Sequence, residues 1–344
     1  MAAVACTLSF LAGCTIQLDP AEERVISFSA GSPLLRDDAT KGTLKEGTTF
    51  STNDAFLVWA WHDAANQHLS FGTTTAVTLG AGGTWDYAPH QYWNWREGDD
   101  YYDFLAFYPA GKTISHSAAT TQNKLLKATL AYNATVDQFD FMAAGQRRAD
   151  KSTGIVNLTF QHMLCAVSVK VTNSKDSKNA GGYPLTVTLK SCKFGNLISS
   201  ASIDVTFNGT SLSSSSTGNR PEPGTPPVLG PVIPANTTLA AQDPQVYYPT
   251  TPEWDLMVPQ NLNPDEGLSP TLVIVYNKGD ANDVEESVDL KTIKNKVSGV
   301  PITEWKAGYK YEYEIELQIG VGIMVKVTTT PWEEVEAETP GLMI

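Results

Sequence analysis

Tyr309-Lys310-Tyr311-Glu312-Tyr313-Glu314-Ile315-Glu316-Leu317 decides the fold. Aromatic and aliphatic residues hold the odd positions and charged residues the even ones. That period of two puts every apolar side chain on one face of an extended strand. Ile323-Met324-Val325-Lys326-Val327 reads as the next strand, before Pro331-Trp332. Upstream, Leu272-Val273-Ile274-Val275-Tyr276 reads as a buried strand, and Leu185 to Leu189 and Ala201 to Phe207 as two more. From Ile155, Val156, Leu158 and Phe160 alternate with polar neighbours; Met163, Cys165, Val167, Val169 and Val171 then continue on the opposite parity. A parity switch near Gln161 and His162 predicts a bulge or bend within one long strand.

The same reading extends to the N-terminal half. Arg24 to Ala30 reads as a strand after a short acidic tether from Asp19 to Glu23. Phe56-Leu57-Val58-Trp59-Ala60-Trp61 is almost continuously apolar and β-prone, as expected of a strand buried on both faces. Val77 to Leu79, Tyr101 to Tyr108 and Phe139 to Ala144 are further strands, bounded by Gly, Pro, Asp or Asn. Ser211 to Gly230, rich in Ser and Pro, reads as a long exposed loop. Only Lys124 to Thr129 and Val288 to Lys296 admit a short helix. The prediction is an all-β protein built as sandwiches.

Composition agrees. Hydrophobic residues make up 42% of the 344, enough for real cores, while charged residues reach only 18%. A formal net charge of -13 without a basic cluster argues against nucleic acid as a partner and against adsorption to anionic lipid.

Attachment to a membrane falls instead to the N-terminus. An apolar run from Ala2 ends in Leu11-Ala12-Gly13-Cys14, the pattern of a bacterial lipoprotein signal cut before a lipidated cysteine. At this length the run is too short to span a bilayer. No Lys or Arg precedes it, which points to a truncated start; a chance tetrapeptide in an ordinary signal peptide is the competing reading. Residues 1–13 are then signal and Cys14 the lipid anchor at the outer membrane. Beyond Cys6 and Cys14, Cys165 and Cys192 remain, either one disulfide or two buried free thiols.

No catalytic chemistry is written in the chain. His62, His68, His90, His116 and His162 have no zinc spacing, and His162 reads as a hydrogen-bonded structural residue. There is no phosphate loop and no nucleophile elbow. Asp37-Asp38 and Asp99-Asp100 are isolated carboxylate pairs, short of a calcium site. Neither an enzyme nor a cofactor or metal is expected. One binding hypothesis remains: Trp93 and Trp95 lie two apart and, with Tyr92 and Arg96, form a platform for sugar rings if exposed. The competing reading places these rings in the core.

Several blocks resemble the fimbrillin-like family of the Bacteroidetes. They are Trp85-Asp86-Tyr87, Tyr92-Trp93, Asp103 to Pro109, Phe139 to Ala144, and Val156 to Leu164 as V-x-L-x-F-x-H-x-L. Leu256 to Gln260, then Trp305 to Tyr311 with Trp332, complete the series in family order. The resemblance implies two tandem transthyretin-like β-sandwich domains, 14–150 and 151–344, with the boundary near Ala149 to Gly154. It implies a structural subunit, or a tip or anchor component, of type V fimbriae at the cell surface, exported as a lipoprotein and supporting adhesion to host or microbial surfaces. Partners would be other pilin subunits, joined by strand addition. An Arg- or Lys-specific protease would cut behind the first strand, Val25 to Ala30. Ala39-Thr40-Lys41-Gly42 resembles the cleavage motif with Lys in place of Arg, and Arg36 keeps the arginine but lies off it. The resemblance also makes Trp332 to Ile344 the donor segment, although its run of glutamates suits an apolar groove poorly. A surface lipoprotein that binds glycans and never polymerises is the alternative.

Overall fold

The computed structural model describes residues 25–31, 50–62, 67–70, 76–93, 102–117, 126–149, 152–222, 225, 229, 233, 237–241, 246–247, 254–264, 268–280, 282–319 and 322–331. The first strands are β1 (Ser27–Gly31), β2 (Ala55–His62), β3 (Gln67–Ser70), β4 (Val77–Leu79), β5 (Trp85–Asp86), β6 (Tyr102–Tyr108), β7 (Ile114–Ser117), β8 (Leu126–Asn133) and β9 (Met142–Ala149). Then come β10 (Ile155–Thr159), β11 (Gln161–His162), β12 (Cys165–Asn173), β13 (Val187–Gly195), β14 (Ser200–Phe207), β15 (Leu212–Thr217), β16 (Thr237–Leu239) and β17 (Val246–Tyr247). The last are β18 (Asp255–Met257), β19 (Gln260–Asn261), β20 (Thr271–Asn277), β21 (Asp283–Asp289), β22 (Lys294–Asn295), β23 (Glu304–Trp305), β24 (Tyr309–Gln318) and β25 (Gly322–Pro331). The described residues are all-β, with one 3-10 turn at Leu290–Thr292.

A sheet ordered β11-β9-β6-β2-β4-β5, with β3 also on β2, is buried on both faces at its centre. Phe56, Val58, Ala60, Phe104, Ala106, Met142 and Ala144 point into one apolar cluster. Trp59, Leu105, Phe107 and Ala143 point into another. Two packed faces are why Phe56 to Trp61 of β2, and Phe104 to Tyr108 of β6 after Asp103, are continuous apolar runs. The second face meets the sheet β15-β14-β8-β7, whose Leu126, Leu130, Ile203 and Phe207 are buried. Gly145 is small for this reason: a Cβ there would lie 2.6–2.8 Å from ring carbons of Phe207.

The C-terminal strands build a sandwich. One sheet runs β17-β12-β24-β25-β22, with β18 on β12; the facing sheet runs β16-β13-β20-β21. β24 carries the alternation of the sequence into space, with Tyr311, Tyr313, Ile315 and Leu317 buried and Lys310, Glu312, Glu314 and Glu316 half-exposed. Trp305 is enclosed beside them and donates from Nε1 to Tyr313 Oη at 2.9 Å. Gln260 of the Pro-Gln block is buried with its amide fully used: Oε1 accepts from Ile198 N at 2.9 Å, and Nε2 donates to the Ile198 and Val258 carbonyls. Cys165 and Cys192 are buried free thiols, so no disulfide joins them.

Four local expectations change. The segment from Ile155 is three strands rather than one with a bulge: β10 pairs with β1, β11 with β9, and β12 with β18 and β24. Its parity switch marks a passage between sheets. Val156, Leu158 and Phe160 accordingly belong to the cluster of β1, whereas Met163 onward belongs to the other. Leu126 opens strand β8, with Leu126, Ala128, Leu130 and Tyr132 buried on alternate positions, and not a helix. Val288 to Lys296 holds only the 3-10 turn between strand ends. Within the expected loop Ser211 to Gly230, Leu212–Thr217 is strand β15, zipped onto β14 by a tight turn at Asn208 to Ser211.

Candidate functional site: the first strand and its groove

Ile26, Phe28 and Ala30 alternate inward from β1 and the residue before it, while Ser27 and Ser29 face outward. Ile26 is 0% and Phe28 5% exposed. The Phe28 ring lies against Phe56, Tyr87 and Phe104, with centroids 6.0, 5.7 and 5.8 Å away. Burying the Ile26 and Phe28 side chains contributes about 1.5–3 kcal/mol each.

On one edge β1 runs parallel to β10, in register from Ser27↔Ile155 to Gly31↔Thr159. Phe160 N donates to Gly31 O at 2.8 Å and ends the ladder. Ser29 Oγ hydrogen-bonds Asn157 Oδ1 across it. On the other edge Ile26 N donates to Gln91 O at 2.9 Å, and Val25 bridges Tyr92. Tyr87 Oη donates to Ile26 O at 2.8 Å. Burial pushes the Tyr87 hydroxyl up to about 12, so it stays a donor at neutral pH. Among the described residues, β1 is the only strand that pairs with β10.

Of the residues singled out from sequence, Cys14, Arg36, Lys41 and Trp95 lie outside the described residues, as do Asp37-Asp38 and Asp99-Asp100. Trp93 is 4% exposed and meets Tyr102 and Phe104 edge-on at 5.7 and 6.1 Å. A ring so enclosed offers no face to a sugar, which corrects the platform reading at this residue. Tyr92 is 43% exposed. Sequence reasoning found the strand but missed its partners β10, Tyr87 and Gln91. The alternation of Val156, Leu158 and Phe160 was the available signal for β10; Tyr87 lies 61 residues from Ile26, beyond any local pattern.

Among the described residues no cluster of His, Cys, Asp or Glu could hold a metal ion, and no helix is long and apolar enough to cross a membrane. What the arrangement offers is an apolar slot, two backbone edges and a strand that fills them.

Residues 40–332 match the model of a family described as fimbrillin-like. The chain belongs to the fimbrillin-like family. It is thus a fimbrial protein of the cell surface, in a family of structural proteins rather than enzymes. No curated protein matches it. Among solved structures it is similar to a protein assigned to cell adhesion from Bacteroides uniformis, at 16% identity and a TM-score of 0.52, over 90% of this chain and 99% of that one. That likeness carries the fold. A second such protein from Bacteroides ovatus aligns at 12% identity and TM-score 0.49, over 91% and 99%. A fimbrial protein from Bacteroides vulgatus aligns at 13% and 0.49, over 90% and 99%.

Proposed function

We propose that this fimbrillin-like chain is a fimbrial subunit, exported to the outer membrane as a lipoprotein through Cys14 and assembled by strand exchange. In this reading the chain forms two sandwich units. Cleavage after Arg36 or Lys41 separates β1 from the body, and a strand of another subunit takes its place. The supporting observation is the setting of β1: one ladder partner, two buried anchors, and the Arg36 and Lys41 segment directly behind it in sequence. Losing such a strand exposes backbone donors and acceptors beside an apolar groove. An incoming strand satisfies both, and a head-to-tail contact of this kind propagates as a filament. The glycan-binding alternative loses Trp93 to the core and keeps only Tyr92 among the described residues.

Intact mass and N-terminal sequencing of the protein from its native outer membrane test the reading. A mature N-terminus just after residue 36 or 41, with SDS-resistant ladders, is the expected result. An acylated Cys14 with the 32–49 segment uncut in all of the protein would exclude a polymerising subunit.

A further inference from the structure

Lys170, Glu314, Lys326 and Lys294 form one row across four strands. Lys170 of β12 stands opposite Glu314 of β24, Glu314 opposite Lys326 of β25, and Lys326 opposite Lys294 of β22. Three strand gaps of about 4.8 Å give the row a length of about 14 Å. We propose that this row binds a linear acidic polysaccharide, whose carboxylate or sulfate groups pair with the lysines. The inference goes beyond the strand-exchange reading and does not depend on it.

The lysines lie far apart in sequence, so no basic cluster is visible there; the fold assembles one on a chain of formal net charge -13. Lys296, just after β22, joins them. Its backbone N–H donates to Val327 O at 2.8 Å, and its Nζ donates to both carboxylate oxygens of Glu314 at 2.7 and 3.0 Å. That contact occupies the carboxylate in the row. The neighbouring Glu312 and Glu316 also belong to β24, and β25 and β22 bring no acidic residue of their own. Lys326 and Lys294 are exposed, stand directly opposite each other, and have no ion-pair partner among the described residues. Like charges at opposed positions of neighbouring strands destabilise a sheet. A bound anion between them removes that cost.

Shape and charge select the ligand. A cleft of about 110 Å³ opens beside the row, lined by Lys170, Lys296, Lys326, Glu316 and Met324 among others. No aromatic ring lines it, so nucleic-acid bases find nothing to stack on. An anionic membrane would face the whole acidic chain. A single polymer strand on the row lies within about 8 Å of the lysines, the range over which charges act in physiological salt. The length of the row suits repeated charges along one polymer rather than a single small ion.

The test offers polygalacturonate and dextran sulfate to the full chain. Plain dextran, polyglutamate, a single-stranded thymidine oligonucleotide, and vesicles of phosphatidylcholine with phosphatidylglycerol are the comparisons. The variant Lys294→Gln/Lys326→Gln is set against Lys190→Gln/Lys193→Gln, which loses the same charge from β13 of the facing sheet. Lys294→Arg/Lys326→Arg keeps the charge, and thermal unfolding confirms that each variant is folded. Capture of an acidic polysaccharide is expected at low salt, weakening as salt rises. It should be at least about tenfold weaker in the 294/326 glutamine variant and unchanged in the other two. No capture of either acidic polysaccharide, equal loss in both glutamine variants, or equal capture of plain dextran would overturn the site. Polyglutamate, oligonucleotide or vesicles bound as tightly as the polysaccharides would overturn the choice of ligand.

Discussion

His162 Nδ1 and Asp140 Oδ1 stand 2.9 Å apart, with side chains 1% and 0% exposed. The contact sits where the chain passes from β10 to β11, between Phe160 in one apolar cluster and Met163 in the other. It fixes the turn of the V-x-L-x-F-x-H-x-L block and explains why a histidine interrupts an otherwise apolar series. Asp140→Ala removes a hydrogen-bonding partner in a dry site, and a loss of about 1–3 kcal/mol is expected in urea unfolding. The double variant Asp140→Leu/His162→Leu should recover part of that loss, because replacing both polar partners with apolar groups leaves neither unsatisfied.

Gly145 gives a second, steric prediction. Its missing side chain makes room for the Phe207 ring between the central sheet and β14. Gly145→Ala is expected to destabilise by about 1–3 kcal/mol through overpacking. Pairing it with Phe207→Leu should soften the effect, and a double-mutant cycle by denaturant unfolding measures the coupling.

These residues also mark how far the sequence could be read. β24 and the two-faced β2 and β6 were legible because burial alone sets their pattern, one face or two. β8 was legible too: Leu126, Ala128, Leu130 and Tyr132 alternate, and a period of two should have outweighed the helix-forming Lys and Ala between them. β15 was not, since Leu212–Thr217 is nearly all serine and becomes a strand only by pairing with β14. The parity switch at Gln161 was seen, but a switch has the same appearance in a bulge and in a change of sheet. At the groove, the inward residues of β1 were visible in order, whereas the Tyr87 hydroxyl and the β10 ladder are tertiary facts.

Cys165 and Cys192 are buried on strands of opposite sheets, and burial raises both thiols well above their ordinary value of 9.0. Reactivity requires an accessible thiolate. Iodoacetamide at about pH 8 should therefore leave both unmodified in the folded protein and label both in urea, read by peptide mass mapping.

Asp204 predicts a pH dependence. Its Oδ1 accepts from Thr129 Oγ1 at 2.5 Å and its Oδ2 lies 2.9 Å from Lys127 Nζ. The Thr129 bond, then the Lys127 bond, holds the carboxyl below its ordinary 3.8. A depressed folded value stabilises above the unfolded one and is lost as pH falls through the folded one. The site is partly exposed, so the contribution is at most about 1 kcal/mol. The stability gap between the wild type and Asp204→Asn should be constant above about pH 5 and close below about pH 4, in urea titrations across that range.

Phe28 carries the prediction nearest to function. Phe28→Ala removes the ring packed against Phe56, Tyr87 and Phe104, a change worth about 3–5 kcal/mol at a buried site. The effect should be local, because among the described residues β1 is joined by ladder pairing to β10 alone, whereas β24 and β25 pair along ten residues elsewhere. Hydrogen exchange separates these outcomes. The Phe160 amide, which donates to Gly31 O, should lose about a hundredfold to a few thousandfold in protection, since about 1.4 kcal/mol corresponds to a factor of ten. Amides of the β24–β25 ladder should keep theirs. Equal loss at both places would mean that β1 opens only with global unfolding, which is incompatible with a strand that can be exchanged from a folded body.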